Sequence, residues 1–164
     1  MHPPLTFPPR GTLLDIEEGA QLQPKFDERG LIPCVTQDAA TLEVLMVGVM
    51  NDEALALTIA TRQAHYWSRS RQKLWRKGEQ SGLVQHVEQI LIDDDQDCVL
   101  LRVRVEGGAS CHVGYRSCFF RALARLGPDT DYALTFLEKE KVFDPDQVYH
   151  TAQDGTRLPG KAKP

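Results

Sequence analysis

Residues 93–105 read Asp93-Asp94-Asp95-Gln96-Asp97-Cys98-Val99-Leu100-Leu101-Arg102-Val103-Arg104-Val105. Val99, Leu101, Val103 and Val105 alternate with Leu100, Arg102 and Arg104, the period of a strand with one face in a core. Gly107-Gly108 breaks that strand, and the acidic run marks a charged turn before it. Working outward, Leu31 to Thr36 and Leu42 to Met50 read as strands, the second apolar enough to be buried on both faces. Leu83 to Ile92 is β-like, although Val84 and Val87 depart from ideal alternation, and His65-Tyr66-Trp67 is a short strand. Helical signals are fewer. Asn51 can cap a helix whose first turn carries Asp52 and Glu53, with Ala54, Leu55, Thr58 and Ile59 on one face and an end near Arg62. Asp15 to Leu22 is expected as a short helix. Ser117 to Leu126 is expected as a second, with Cys118 in its first turn and Gly127-Pro128 as its stop. Residues 130 to 149 fit strand and helix equally. The class expected is α+β and β-rich.

With 164 residues, 41% hydrophobic and 26% charged, the chain has the composition of one soluble globular domain. The expected organisation is a disordered extension over 1–12, one domain over 13–150 and a solvated tail over 151–164. Four prolines and no apolar stretch in Met1 to Arg10 argue against a signal peptide. No run approaches the roughly 20 apolar residues that span a bilayer. A net charge of -4 disfavours a nucleic-acid coat or a membrane-surface binder. The four cysteines, Cys34, Cys98, Cys111 and Cys118, are too sparse for a disulfide scaffold and read as reduced thiols of a cytoplasmic protein.

Three segments carry chemistry. From Arg62 to Gly78 there are six positive charges (Arg62, Arg69, Arg71, Lys73, Arg76, Lys77) and no carboxylate. Arginine forks match phosphate oxygens. Ser68, Ser70 and Ser81 add hydroxyls, Gly78 and Gly82 allow a close backbone approach, and Tyr66, Trp67 and Trp75 could stack on a base. A solvated loop with aromatic anchors fits the same pattern, as does a single-strand nucleic-acid surface. The acidic block nearby favours a compact phosphorylated molecule over a long polyanion. Asp93, Asp95 and Asp97 share one face of a strand or extended turn. Three such carboxylates repel unless a cation lies between them, and oxygen donors suit Mg²⁺ or Ca²⁺. An EF-hand is excluded, because Cys98 stands at its glycine position and Arg104 at its final glutamate. A plain charged turn is the simpler alternative.

Cys111 and Cys118, with His112 beside the first and Gly114 between them, form a partial soft-metal set. A catalytic zinc needs three protein ligands and a water. The third is then Asp94, His112 or a residue of another subunit, because Cys34 and Cys98 sit inside β patterns as small buried hydrophobes. Two thiols of this kind can equally be core residues.

In order along residues 26 to 121 stand Gly30-Leu31-Ile32-Pro33, Gln37-Asp38, Met50-Asn51-x-Glu53-Ala54-Leu55 and Tyr66-Trp67-Ser68-Arg69-Ser70-Arg71. Leu74-Trp75-x-Lys77-Gly78-Glu79-x-Ser81-Gly82 and Cys111-His112-x-Gly114-x-x-Ser117-Cys118-Phe119 follow. This collinear set resembles the phosphoribosyl-AMP cyclohydrolase family of histidine biosynthesis. The chain is too short for the pyrophosphohydrolase domain fused to it in bifunctional relatives. The resemblance implies a homodimer of β-rich subunits built on a mixed, folded, pseudo-barrel-like sheet. It implies Mg²⁺ on Asp93, Asp95 and Asp97, and zinc on Cys111, Cys118 and a third cysteine from the partner. It also implies a phosphorylated nucleotide bound by Arg69, Ser70, Arg71, Trp75, Lys77, Glu79 and Ser81, with His112 moving protons.

The family pattern Asp-Cys-Asp-Gly-Asp is altered here. Asp94 replaces the cysteine and Gln96 the glycine, Ser110 is an extra residue before Cys111, and Val113 replaces a threonine. Cys98 lies four residues beyond position 94, about 13 Å along a strand, and cannot stand in. Asp94 from the partner could ligate zinc through oxygen, or favour another divalent transition metal such as Fe²⁺ or Mn²⁺. Two functions remain compatible with an intact phosphate-binding stretch: a cyclohydrolase with altered metal use, or a paralogue hydrolysing a related nucleotide amidine. A nucleotide-binding protein without catalysis is the alternative of another class.

Overall fold

In a computed structural model, residues 6–125, 132–151 and 157–159 are described. The centre is a four-stranded mixed sheet of β1 (Ile32–Asp38), β2 (Val44–Met50), β5 (Gln85–Ile92) and β6 (Val99–Val105), in the order β2-β1-β6-β5. β1 and β2 form an antiparallel hairpin, β5 and β6 another, and β1 runs parallel to β6 between them. The alternation read at residues 99–105 is obeyed, with Val99, Leu101 and Val103 fully buried. They meet Ile32 and Cys34 of β1 and Met46 and Met50 of β2 in one core. Each such side chain contributes about 1.5–3 kcal/mol through burial, and Leu101→Ala would cost about 3 kcal/mol because the cavity could not fully collapse. The irregular alternation before Ile92 has a cause. The β5–β6 register slips between Val87 and Gln89, leaving Glu88 as a bulge residue.

α2 (Asp52–Thr61) closes one face of the core with Ala54, Leu55 and Thr58. Asn51 Oδ1 accepts from Ala54 N at 2.9 Å, and Arg62 ends the helix in the left-handed region at φ 56°. The basic segment folds as a hairpin of β3 (His65–Ser68) and β4 (Lys73–Arg76), with residues 69–72 at its tip.

Two of the expected helices change. The N-terminal helix, α1, spans Leu13–Glu17 rather than Asp15 to Leu22, because Thr12 and Asp15 form a capping box that starts it earlier. Of the extension expected over 1–12, residues 1–5 lie outside the described ones. Phe7, however, packs on Phe26 at 6.1 Å between centroids and against the core. The helix expected over Ser117 to Leu126 is absent. Arg121–Arg125 is instead a strand, β7, paired antiparallel with β8 (Tyr132–Phe136). Ala, Leu and Arg favour helix in isolation, but pairing with the β-rich Tyr132–Phe136 segment satisfies the same backbone groups. Of the segment 130–149, residues 130 and 131 lie outside the described ones, and the rest holds a strand and then one helical turn, α3 (Pro145–Val148). Within the segment expected as a tail, β10 (Arg157–Pro159) pairs with β9 (Tyr149–Thr151). No helix among the described residues is long and apolar enough to cross a membrane.

Candidate active site

The Cys111 loop is a tight turn: Ser110 N donates to Arg116 O, Cys111 N to Tyr115 O and Gly114 N to Cys111 O. Gly114 has φ 103°, and a Cβ there would lie 2.4 Å from Phe143 O, so glycine is required twice over. The chain then docks on β2, with Ser117 Oγ donating to Val44 O at 2.7 Å and Cys118 N to Leu45 O at 2.7 Å. This docking, not a helix start, presents Cys118. Its thiol is exposed while Cys111 is buried, and the two are hydrogen-bonded. The bond from Cys118 draws Cys111 down to about 6, helped by the Lys77 ammonium, and the same bond pushes Cys118 up.

Underneath lies a buried polar chain. Thr36 Oγ1 and Tyr66 OH are 2.7 Å apart, Tyr66 OH donates to Gln85 Oε1 at 2.7 Å, and Gln85 Nε2 donates to Ser110 Oγ at 3.0 Å. Thr36 and Gln85 are 0% exposed and Tyr66 and Ser110 1%. Lys77 Nζ donates to the Ser110 carbonyl at 2.5 Å and lies 5.9 Å over the Trp75 ring. Ser110, extra relative to the family pattern, is therefore anchored at both its hydroxyl and its carbonyl. Lys77 is buried, which lowers its ammonium pKa, while Cys118 and Cys111 oppose that shift.

Lys77 is thereby set apart from the other cations of its segment. Arg69 and Arg71 are exposed at the β3–β4 tip, where Ser68 Oγ accepts from Arg71 N and Nε at 3.3 Å, with Ser70 exposed beside them. Lys73, at the tip end of β4, is four residues from Lys77, about 13 Å along the strand. Trp75 is half-buried and packs on Tyr66 at 5.2 Å, so it is an anchor with one side on the core. Glu79 is exposed and Ser81 half-buried in the turn after β4. Gly78, at φ 86°, makes its close approach to the Val84 backbone, where a Cβ would lie 2.4 Å from Val84 N. His112 is exposed beside Cys111.

The acidic turn joins β5 to β6. Asp93, Asp95 and Asp97 present oxygens within 4.8 Å of one another, and theirs is the one grouping of three or more His, Cys, Asp or Glu ligands among the described residues. They converge through a tight turn rather than by strand alternation: Gln96 N donates to Asp93 O, and Cys98 N to Asp93 Oδ1 at 2.8 Å. Gln96 keeps the left-handed backbone of the glycine it replaces, at φ 59°, a cost of about 1 kcal/mol for a residue with a Cβ. Its buried side chain answers with hydrogen bonds to Gln23 N at 2.6 Å, Ile16 O at 3.0 Å and Gln21 O at 3.2 Å. Lys25 reaches Asp95 at 3.2 Å and Asp97 at 3.1 Å, and its hydrogen bond holds the Asp97 carboxyl below the usual range. The cation that three facing carboxylates demand is thus an ammonium from 70 residues away in sequence, and the hard oxygen donors also fit Mg²⁺.

The two clusters are far apart in one subunit. Val44 pairs with Gln37, and Gln37 with Arg102, five residues and about 17 Å along β6 from Asp97. Exposed Asp94 shares the turn with Asp95 and so cannot reach the thiols of its own chain. Nor does His112 complete the thiol pair, since no third His, Cys, Asp or Glu ligand atom joins it among the described residues. Cys34 is fully buried, its thiol pushed up to about 12 by burial, and Cys98 is half-buried with its thiol toward Val99 O.

Lys25, Gln96 and the Gln85–Ser110 link went unread in the sequence. Gln85 left little trace, being one of four polar residues, with His86, Glu88 and Gln89, in β5. Lys25 left none, because its partners are distant in the chain.

A sequence model described as Phosphoribosyl-AMP cyclohydrolase matches residues 46–120. A phosphoribosyl-AMP cyclohydrolase of Bradyrhizobium sp. (strain BTAi1) is 56% identical over 126 residues, covering 77% of this chain and 95% of the relative. Those of Rhodopseudomonas palustris strains HaA2 and BisB18 are 53% and 52% identical over 135 and 143 residues, covering 82% and 86% of this chain and 90% and 95% of the relatives. With such identity over most of its length, on a sheet that brings the motif thiols together and the motif aspartates together, this chain belongs to the phosphoribosyl-AMP cyclohydrolase family.

Proposed function

We propose that the chain hydrolyses the N1–C6 bond of the adenine ring in 1-(5-phosphoribosyl)-AMP, giving the formimino-AICAR ribotide of histidine biosynthesis. The observation that carries this reading is the thiol pair. One thiolate is stabilised near pH 6 beside the buried Lys77 ammonium, and Lys77 follows directly on β4 of the hairpin whose tip exposes Arg69 and Arg71. Cys111 and Cys118 would hold zinc or another divalent transition cation, which would supply the Lewis acidity for activating a water. His112 stands beside Cys111 and carries a proton toward N1 as its bond to C6 breaks. Arg69 and Arg71, with Ser70, hold a phosphate at the hairpin tip. Glu79 and Ser81 face the ribose, and Trp75 anchors the hairpin and offers its open side to the base. Lys77 holds the Cys111 loop and balances thiolate charge. Asp93, Asp95 and Asp97 would hold Mg²⁺ through their carboxylate oxygens.

The unit of function is a homodimer in which Asp94 of the partner comes to the thiols. Two features support this: the 17 Å separation within one chain, and the apolar side chains left exposed on β7–β8, where Leu123 is 68%, Leu134 52% and Phe136 59% exposed. Free thiols throughout suit a reducing cytoplasm.

The test is a ring-opening assay on purified protein combined with metal analysis, after loading with Zn²⁺, Fe²⁺ or Mn²⁺. Ring opening with at least one metal is expected. Substrate that binds and raises the melting temperature, yet stays closed with all three, would establish the non-catalytic alternative.

A further inference from the structure

Residues 10 to 25 lie over the acidic turn and are tied to it at several independent points. Arg10 donates to Asp95 O at 3.0 Å, Lys25 N donates to Gln96 O at 2.8 Å, and the Gln96 side chain bonds Gln23 N, Ile16 O and Gln21 O. Gln96 is 6% exposed, and it stands where the family pattern has a glycine that could make none of its side-chain bonds. The segment ends by delivering the Lys25 ammonium between Asp95 and Asp97. We propose that residues 10–25 form a strap, fastened through Gln96, that carries Lys25 into the acidic turn as a tethered cation competing with a divalent ion for Asp95 and Asp97.

The physical argument is one of shared donors. Two of the three carboxylates that converge within 4.8 Å already accept from one ammonium, and a hard divalent cation needs those same oxygens. A lysine brought by a pinned backbone acts at high effective concentration, because its ordering entropy is met by the hydrogen bonds of the strap. Divalent-ion uptake therefore requires Lys25 to swing out into solvent, which its half-exposed side chain permits. The inference rests on the reading that this turn receives a divalent cation.

Free Mn²⁺, followed by electron paramagnetic resonance in the full-length protein without substrate, provides the test. Lys25→Ala should bind Mn²⁺ about fivefold more tightly than the unaltered protein, the scale of two partly exposed ion pairs. Lys25→Ala/Asp95→Asn should lose that gain. Gln96→Gly suits the left-handed backbone and should fold, while amide exchange over residues 12–23 accelerates about tenfold and Mn²⁺ affinity rises by less than in Lys25→Ala. Unchanged or weaker Mn²⁺ binding in Lys25→Ala would overturn the proposal. So would an equal gain in the remote, exposed Lys139→Ala, which would mark a general charge effect, or unchanged exchange in Gln96→Gly. The readout needs no turnover. Failure of ring opening with a fivefold Mn²⁺ gain condemns only the proposed function, and ring opening without that gain condemns only the strap.

Discussion

In the acidic turn three carboxylates meet within 4.8 Å and an ammonium of the same chain stands between two of them. In the thiol corner two sulfurs meet, no third His, Cys, Asp or Glu ligand joins them among the described residues, and support comes from below, through Gln85, Ser110 and Lys77. The first set closes within one subunit; the second is stiffened but left open toward solvent. A sulfur pair with one exposed member suits completion by another molecule, whereas carboxylates already sharing an ammonium need only an exchange of cations. The buried links beneath the thiols are costly to break, since each orphaned polar group loses about 1–3 kcal/mol. The exposed ionic contacts of the turn are screened by water.

The sharpest break in this comparison comes at the sulfurs. Cys118→Ser should abolish ring opening by more than about 100-fold, beyond what outer-shell changes cause. It should leave urea unfolding almost unchanged, because Cys118 is exposed; retained thiolate-to-cobalt absorbance in that variant would show that the pair is not a ligand set. If the open side is filled by Asp94 of a second subunit, Asp94→Ala and Cys118→Ser proteins, each inactive, should regain about a quarter of full activity when refolded together, through mixed dimers with one intact site. No recovery would assign the third place to another group. Gln85→Leu should destabilise the fold by about 2–3 kcal/mol in urea, because it strands Ser110 Oγ in the core and leaves Tyr66 OH with Thr36 Oγ1 alone. A loss below about 1 kcal/mol would mean the corner is not held from beneath.

Smaller effects follow from protonation. The Cys111 value lies at about 6, below the ordinary 9.0 of an unfolded chain. The thiolate's contribution to stability is thus fully present above pH 9 and fades as pH falls through about 6. Cys118, raised by the bond to Cys111, works with the opposite sign, present at low pH and lost as pH rises. The stabilised form of the pair is therefore singly deprotonated. Iodoacetamide should alkylate one thiol with a midpoint near pH 6, and Lys77→Met should move that midpoint upward, since a cation favouring the thiolate is removed. The smallest effect belongs to the turn: Gln96→Gly should destabilise the fold by about 1–2 kcal/mol, as relief of the left-handed backbone offsets only part of the lost side-chain bonds.

How much of this was legible varies by segment. The central strands were, because a period of two over Val99 to Val105 needs a buried face and admits little else. α2 was, because Asn51, its first-turn carboxylates and its apolar spacing agree on one answer. The stretch after Cys118 was not. Arg121-Ala-Leu-Ala-Arg has the propensity of a helix, and only pairing with Tyr132–Phe136 makes it a strand. Lys77 was grouped with the phosphate-facing arginines by charge, whereas its ammonium is directed inward to the Ser110 carbonyl.

What residue order alone determined is the chemistry available: sulfur at 111 and 118, carboxylate at 93, 95 and 97, arginine at 69 and 71, and a family pattern altered at 94, 96 and 110. Periodicity and ligand type are local properties, so they survive without coordinates. What only the tertiary structure decided is which groups meet. It brought Lys25 to Asp95 and Asp97, Gln96 to residues 16–23, and Gln85 to Ser110, and it kept Asp94 away from the thiols of its own chain. Those contacts join residues tens of positions apart, and the free energy that selects them is that of the whole packed core, which no short window of sequence contains.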